Sequence, residues 1–246
     1  MKGPEILYII PVLGGIPITE TVRTSFIVMV LVILAGWWMG KDLKTIPDRK
    51  QIMVEKGVGM LYDLVESTMG KHNLHMTPYI GALLLSSVCG SLIGTTYVLR
   101  SSTGDLSTTL AWAVATTALV WFYSIKNSGI LGWLKGFTEP IVVMTPMNLL
   151  SEIANPVSMA FRHFGNIAGG MVLTSLIYSG FAFLSGVILQ WIPNAFINSI
   201  PIFQVGIPAF LSLYFDLFTA CVQAFIFCML TMVYVGNANP APEENA

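Results

Sequence analysis

The chain predicts an all-α integral membrane protein with about five membrane helices, one interfacial amphipathic helix and a long hairpin made by the last two helices. Three observations carry that prediction. Its 246 residues are 54% hydrophobic and only 10% charged, whereas a soluble domain carries about a quarter charged residues. Several uncharged runs approach the ~20 residues that cross a bilayer core. Between His163 and Phe215 no Lys, Arg, Asp or Glu occurs at all. Too little polar side chain is present to clothe a soluble globule, and residues 1–246 read as a single membrane domain.

The elements follow in chain order. MKGPEILYIIPVLGG has one early lysine and a short apolar stretch. Glu5, the prolines and the lack of a cleavage pattern argue against a secretory signal peptide, and no Arg- and Ser-rich transit sequence is present. Residues 24–40 form the first span. Residues 47–69, inside KDLKTIPDRKQIMVEKGVGMLYDLVESTMG, form the interfacial helix. There Met53, Val54, Val58, Leu61 and Val65 recur at helical spacing, with charges on the other side. Residues 76–99 and 106–125 are the second and third spans. A long fourth helix over 140–190 and a long fifth over 200–236 are separated by WIPNAFINSIPIF, whose prolines and asparagines mark a connection.

Charge sets the expected orientation. Lys41, Lys44, Arg49, Lys50, Lys56 and Lys71 cluster between spans one and two, and short cationic loops stay cytoplasmic. The N-terminus is then outside, the RSSTGD loop is outside, Lys126 and Lys135 are inside, and the C-terminal GNANPAPEENA is cytoplasmic.

Other classes find little support. The net charge of −1 offers no basic stripe for nucleic acid. Cys89, Cys221 and Cys228 fall in apolar segments without metal-ligand spacing and read as buried hydrophobes, so no cofactor or metal is expected. An ion-coupled secondary transporter would show a broken midplane helix and often an internal repeat; neither is visible. An intramembrane hydrolase would need a nucleophile near His72, His75 or His163, and no Gly-x-Ser-x-Gly elbow presents one.

An ionisable side chain at the bilayer centre costs ~2.5–3.5 kcal/mol on insertion scales, so such residues turn toward a cavity or a partner. Three qualify. Arg162 lies well past the last cytoplasmic charges, Lys135 and Glu139. Its neighbours at helical spacing are Ser158, Met159, Gly165 and Asn166, then Gly169 and Gly170. The glycines leave a groove for close approach of another helix, and a guanidinium keeps its charge in almost any environment. Asp216 is the one charge of the final helix and forms a stripe with Thr219 and Gln223. Glu152 has Asn148, Ser151 and Asn155 nearby, with Pro156 expected to bend the helix. Glu152 lies ~15 Å to the cytoplasmic side of Arg162, and Asp216 ~10 Å to the outer side of Gln223, at 1.5 Å per residue. If Gln223 faces Arg162, the polar groups form two half-channels separated by a fixed positive charge. Asp105 reads equally as the mouth of the outer path or as the N-cap of LSTTLAWAV.

These residues resemble a known family. NPVSMAFRHFGNIAGG is similar to the signature P-x-S-L-x-x-R-L-F-G-N of subunit a of F-type ATP synthases, and DLFTACVQAFIFCMLTMVYV resembles its second signature, in which a glutamine precedes A-F-I-F. GDLSTTLAWAV and GWLKGFTEP match weaker stretches, and the resemblance runs from about Thr19 to Gly236. It implies a bacterial cell-membrane subunit whose partners are a ring of c subunits, peripheral-stalk b subunits and the rest of the ATP synthase, with the final hairpin tilted against the rotor. Arg162 matches the essential arginine, Gln223 its companion, Asn166 the family asparagine and Asp216 an outer titratable position. Asn148 stands at an inner, sometimes acidic position, with Glu152 as its substitute one turn further on. The chain departs from the pattern at Met171, where a titratable residue is common, and at His163, where leucine is usual. His163 is read as packing or hydrogen-bonding, not as a proton relay.

Overall fold

The computed structural model describes residues 5–11, 16–41, 43–96, 99–139, 141–189, 210–211 and 214–241. The connection over 191–203, the start of the fifth helix at 200 and the end of the C-terminal tail lie outside the described residues. Helices dominate because lipid offers no hydrogen bonds to the backbone, so a crossing segment must satisfy its amides internally. Among the described residues five stretches are long and apolar enough to cross a membrane: Glu20–Gly40, Lys71–Thr95, Leu106–Gly136, Val142–Ile188 and Thr219–Ala238.

The chain opens with something the helical reading did not include. β1 (Ile6–Ile10) pairs antiparallel with β2 (Ile16–Thr19), with a register irregularity between Ile6 and Tyr8. Two β-branched apolar runs around Gly14-Gly15 are a hairpin signal. β2 leads directly into α1 (Glu20–Gly40), whose first amide donates to the Glu5 carbonyl at 3.1 Å. On α1 only Thr21, Thr24 and Val28 are buried, so the helix packs along one narrow stripe and leaves Phe26, Ile33, Trp37 and Trp38 exposed. The two tryptophans mark the end of the span, as membrane-interface aromatics do. Lys50 Nζ lies 3.7 Å above the Trp38 ring and donates to the Trp38 carbonyl.

α2 (Arg49–Met69) is amphipathic but divided along its length. Its C-terminal half docks on the bundle through Leu61, Val65 and Met69, with Val65 fully buried. Met69 packs closely on Gly236, where a Cβ would stand 3.4 Å from the Met69 Cα, in ordinary van der Waals contact. The N-terminal half leaves Met53, Val58 and Met60 exposed. Gly70, at φ 81°, ends the helix in a conformation few other residues adopt. A 3₁₀ segment over Lys71–Met76 then feeds α3 (Thr77–Leu92). Gly90 lets the following loop press onto α3: a Cβ there would lie 2.4 Å from Ser102 Oγ.

α4 spans Leu106–Gly136 and is interrupted at Gly129, where φ is 69°. It reaches 11 residues beyond the expected end at 125, the last of them a short helical segment after the break. α5 (Thr145–Leu189) runs through Pro156, which offers no amide to the Glu152 carbonyl one turn back. The described part of the last helix comprises 210–211, a π-helical turn over Tyr214–Phe218, and α6 (Thr219–Ala238).

α6 packs against α2, α3, α4 and α5, and the core gathers Ile80, Leu83, Ala113, Met159, Ala160, Phe227, Cys228 and Met232. Hydroxyls bridge helices within it, as between Thr116 and Thr231 at 3.2 Å. Polar knots tie each end. At one end His72 Nε2 lies 2.6 Å from the Asn239 carbonyl, Asn239 donates to Asn73 Oδ1 at 2.6 Å, and Asn127 donates to the Ala238 carbonyl at 3.0 Å. At the other end Thr21 Oγ1 donates to Asp105 Oδ2 at 2.6 Å. The start of α1 and the end of α6 therefore lie at opposite ends of the bundle.

Candidate functional site

α5 presents two faces that differ sharply in burial. Met159, Ala160, His163, Ile167 and Gly170 are buried, whereas Ser158, Phe161, Arg162, Gly165 and Gly169 are exposed. At about 100° per residue, Met159 and Gly170 lie on the His163 side of Arg162, and Ser158, Gly165 and Gly169 on the other. The glycine groove predicted around Arg162 is therefore real on one flank only. Met159 and Gly170, grouped with the arginine by spacing, belong to the packing face. Nothing among the described residues lies within 4 Å of where a Cβ would stand at Gly165 or Gly169, so among them that flank is open.

The Arg162 guanidinium projects from this open flank, and no described acidic side chain pairs with it. Asn166, half-buried one turn on, donates to the Arg162 carbonyl at 3.2 Å, so its amide is spent along the helix. His163 faces inward at 1% exposure, with Nε2 3.1 Å from Ser87 Oγ on α3. Trp112 of α4 and Phe227 of α6 flank the imidazole, at centroid distances of 6.2 and 5.5 Å. That is the packing and hydrogen-bonding role expected of it.

Gln223 is half-buried on α6, one turn before Phe227, and its main chain lies beside the His163 ring. Through that ring the helices that carry Arg162 and Gln223 meet. Thr219 Oγ1 reaches back to the Tyr214 carbonyl at 3.4 Å, a five-residue step. Asp216 sits inside the π-helical turn. The regular 100° stripe expected for Asp216, Thr219 and Gln223 is therefore interrupted between the first two, because a π turn holds more residues per turn.

On the other side of Arg162 along α5, Glu152 is half-buried and accepts a hydrogen bond from the indole Nε1–H of Trp121 on α4. The Asn148 amide donates to the carbonyls of Phe137 and Glu139 at 2.9 and 3.0 Å, fastening the start of α5 to the end of α4. Asp105 accepts from Ser107 N at 3.0 Å as the N-cap of α4 and also binds Thr21. Met171 approaches Gly104, 3.1 Å from where its Cβ would stand, so this position is filled by an apolar contact. Sequence reasoning missed Trp121 and Ser87, neither of which carries a periodic or charge signal of its own.

The comparisons agree with the geometry. The family described as ATP synthase A chain matches residues 22–236. ATP synthase subunit a, sodium ion specific, of Propionigenium modestum is 32% identical over 96% of this chain and 84% of its own length. ATP synthase subunit a 1 of Crocosphaera subtropica is 31% identical, over 90% of this chain and 87% of its own. ATP synthase subunit a of Moorella thermoacetica is 29% identical, over 92% and 93%. These matches take in both the arginine helix and the last helix, so this multi-pass membrane protein, a component of a multi-subunit ATP synthase complex, belongs to the ATP synthase A chain family, subunit a of the membrane sector.

Proposed function

We propose that this chain forms the stationary ion path of its ATP synthase, with two offset half-channels separated by Arg162 and a ring of c subunits turning against the open flank of α5. The observation that carries the reading is the contrast between neighbours: Arg162 is exposed beside glycines with no described residue over them, while His163 is 1% exposed. A guanidinium this deep in an apolar helix is too costly to leave against acyl chains, so another protein surface must cover it. A rotor carrying one buried carboxylate per subunit satisfies both the charge and the close approach.

The physics follows from the fixed charge. The transmembrane potential supplies ~2.3 kcal/mol per charge per 100 mV, usable only if ions cannot leak directly across. Arg162 raises the barrier to a cation passing between half-channels and favours the deprotonated rotor carboxylate as it passes. The carboxylate releases its ion on one side, reloads on the other, and rotation links the two events. Glu152 lies on the inner route, where its hydrogen bond to Trp121 orients it; Asp216, Thr219 and Asp105 lie on the outer route; Gln223 faces the arginine level. The cationic loop holding Lys41 to Lys71 is cytoplasmic, which puts the C-terminus inside and the N-terminus outside. Peripheral-stalk b subunits hold the assembly still. The ion is H⁺ or Na⁺, and the name of the Propionigenium relative makes sodium dependence of ATP hydrolysis at fixed pH the assay for it. For the arginine, Arg162→Ala in the intact complex abolishes ATP-driven pumping while the complex still assembles. Normal pumping by that variant would refute the assignment.

A further inference from the structure

The residue after the arginine is the one fully buried polar side chain on the described part of α5 that reaches three other helices. His163 meets α3 through Ser87, itself 0% exposed, at 3.1 Å. It meets α4 through Trp112 and α6 through Phe227, and these two rings also pack edge-on, 6.2 Å apart. The Gln223 main chain lies beside the imidazole, and Nδ1 is buried with no hydrogen-bond partner among the described residues. A side chain that only filled space here would need neither the hydrogen bond to Ser87 nor the burial of two polar nitrogens, which is costly unless something is gained.

We propose that His163 is a positioning residue that fixes the rotation of α5 about its own axis and thereby aims Arg162 at the rotor. Successive residues stand about 100° apart on a helix, so pinning His163 against α3, α4 and α6 sets the direction of Arg162. A roll of α5 by about 20° would carry a group at the ~5–6 Å helix surface by about 2 Å, enough to turn a hydrogen-bonded contact into none. The Ser87 bond supplies direction where the two aromatic contacts supply only fit. This inference rests on the proposed role of Arg162.

The test uses the intact complex in sealed vesicles and reads ions pumped per ATP hydrolysed, a ratio that a lower yield of assembled complex leaves unchanged. Ser87→Ala and His163→Leu should each lower the ratio about fivefold, the order carried by one lost buried hydrogen bond, and the double variant should be no worse than either single one. His163→Gln, which can still bond Ser87 but does not titrate, should keep the ratio near that of the unaltered protein with an unshifted pH profile. An unchanged ratio in Ser87→Ala would overturn the proposal even if His163→Leu fails to assemble, because the hydrogen bond would then not matter. Collapse of pumping with an altered pH profile in His163→Gln would overturn it in favour of a proton relay. If Arg162→Ala pumps normally, the reading of the arginine itself fails; if that variant is dead and the Ser87 and His163 ratios are unchanged, only the positioning role fails.

Discussion

Gly165→Leu separates what the subunit needs for its own fold from what it needs against the proposed rotor. Among the described residues nothing lies within 4 Å of a Cβ at Gly165, and the position is exposed, so none of them blocks the start of a larger side chain. Glycine is about 1 kcal/mol less favourable than alanine in a helix interior, and leucine is close to alanine, so α5 alone should be as stable as before or slightly more so. Against a closely packed rotor the sign reverses. Added methylenes in a filled interface cost about 1–3 kcal/mol, and every passing rotor subunit meets the same obstruction. At about 1.4 kcal/mol per tenfold change, pumping should slow by roughly 5- to 150-fold. The assay measures the amount of this chain in purified complex, then ATP-driven ion uptake per complex. Gly90→Ala is the internal control: its Cβ would stand 2.4 Å from Ser102 Oγ, so it should lower the amount of folded chain and leave the rate per surviving complex alone. Wild-type pumping by Gly165→Leu would show that nothing approaches that flank closely, and the reasoning from the open glycines would fail.

Asp105→Ala removes the acceptor for Ser107 N and for Thr21 Oγ1. Loss of a helix cap costs about 1 kcal/mol, so thermal inactivation of the solubilised complex should occur about 2–4 °C lower; unchanged pumping per ATP would assign the residue to capping alone. Asn73→Ala removes a fully buried amide that bonds the Met69 and Asn239 carbonyls at 2.8 and 3.1 Å. Leaving such groups unsatisfied costs about 1–3 kcal/mol, and proteolysis near Asn239 should accelerate while cleavage elsewhere does not. Asp216→Asn should slow ion entry from the outer side with normal assembly, measured as a reduced initial pumping rate, and an unaltered rate would count against its place on the outer route.

The features legible in the sequence were those that depend on one segment at a time. A long run with little or no charge has to be a helix in lipid, so α1, α3 and most of α4 and α5 were readable from the scarcity of charge, and the signature around Arg162 marked the candidate site. What escaped depends on neighbours. Helical spacing places Met159 and Gly165 equally close to Arg162, one on each flank, and only the packing of α3, α4 and α6 decides which flank is buried. The division of α2 follows from where the last helix lies, with Gly236 beside Met69, 167 positions earlier in the chain. The π-helical turn around Asp216 adds residues to one turn without any proline or glycine among Tyr214–Phe218 to announce it, so a projection at constant pitch misaligned Asp216 with Gln223. The Asn148 amide, read as part of the inner route, is engaged by the carbonyls of Phe137 and Glu139, an arrangement that exists only once α4 has turned back. His163 shows the same limit from the other direction. Its departure from leucine was visible as a letter, but a histidine gains directional meaning only when Ser87, 76 positions earlier, stands across from it. The charge proposed to do the work and the contacts proposed to aim it are thus encoded differently: the first in one short motif, the second in residues spread over four helices.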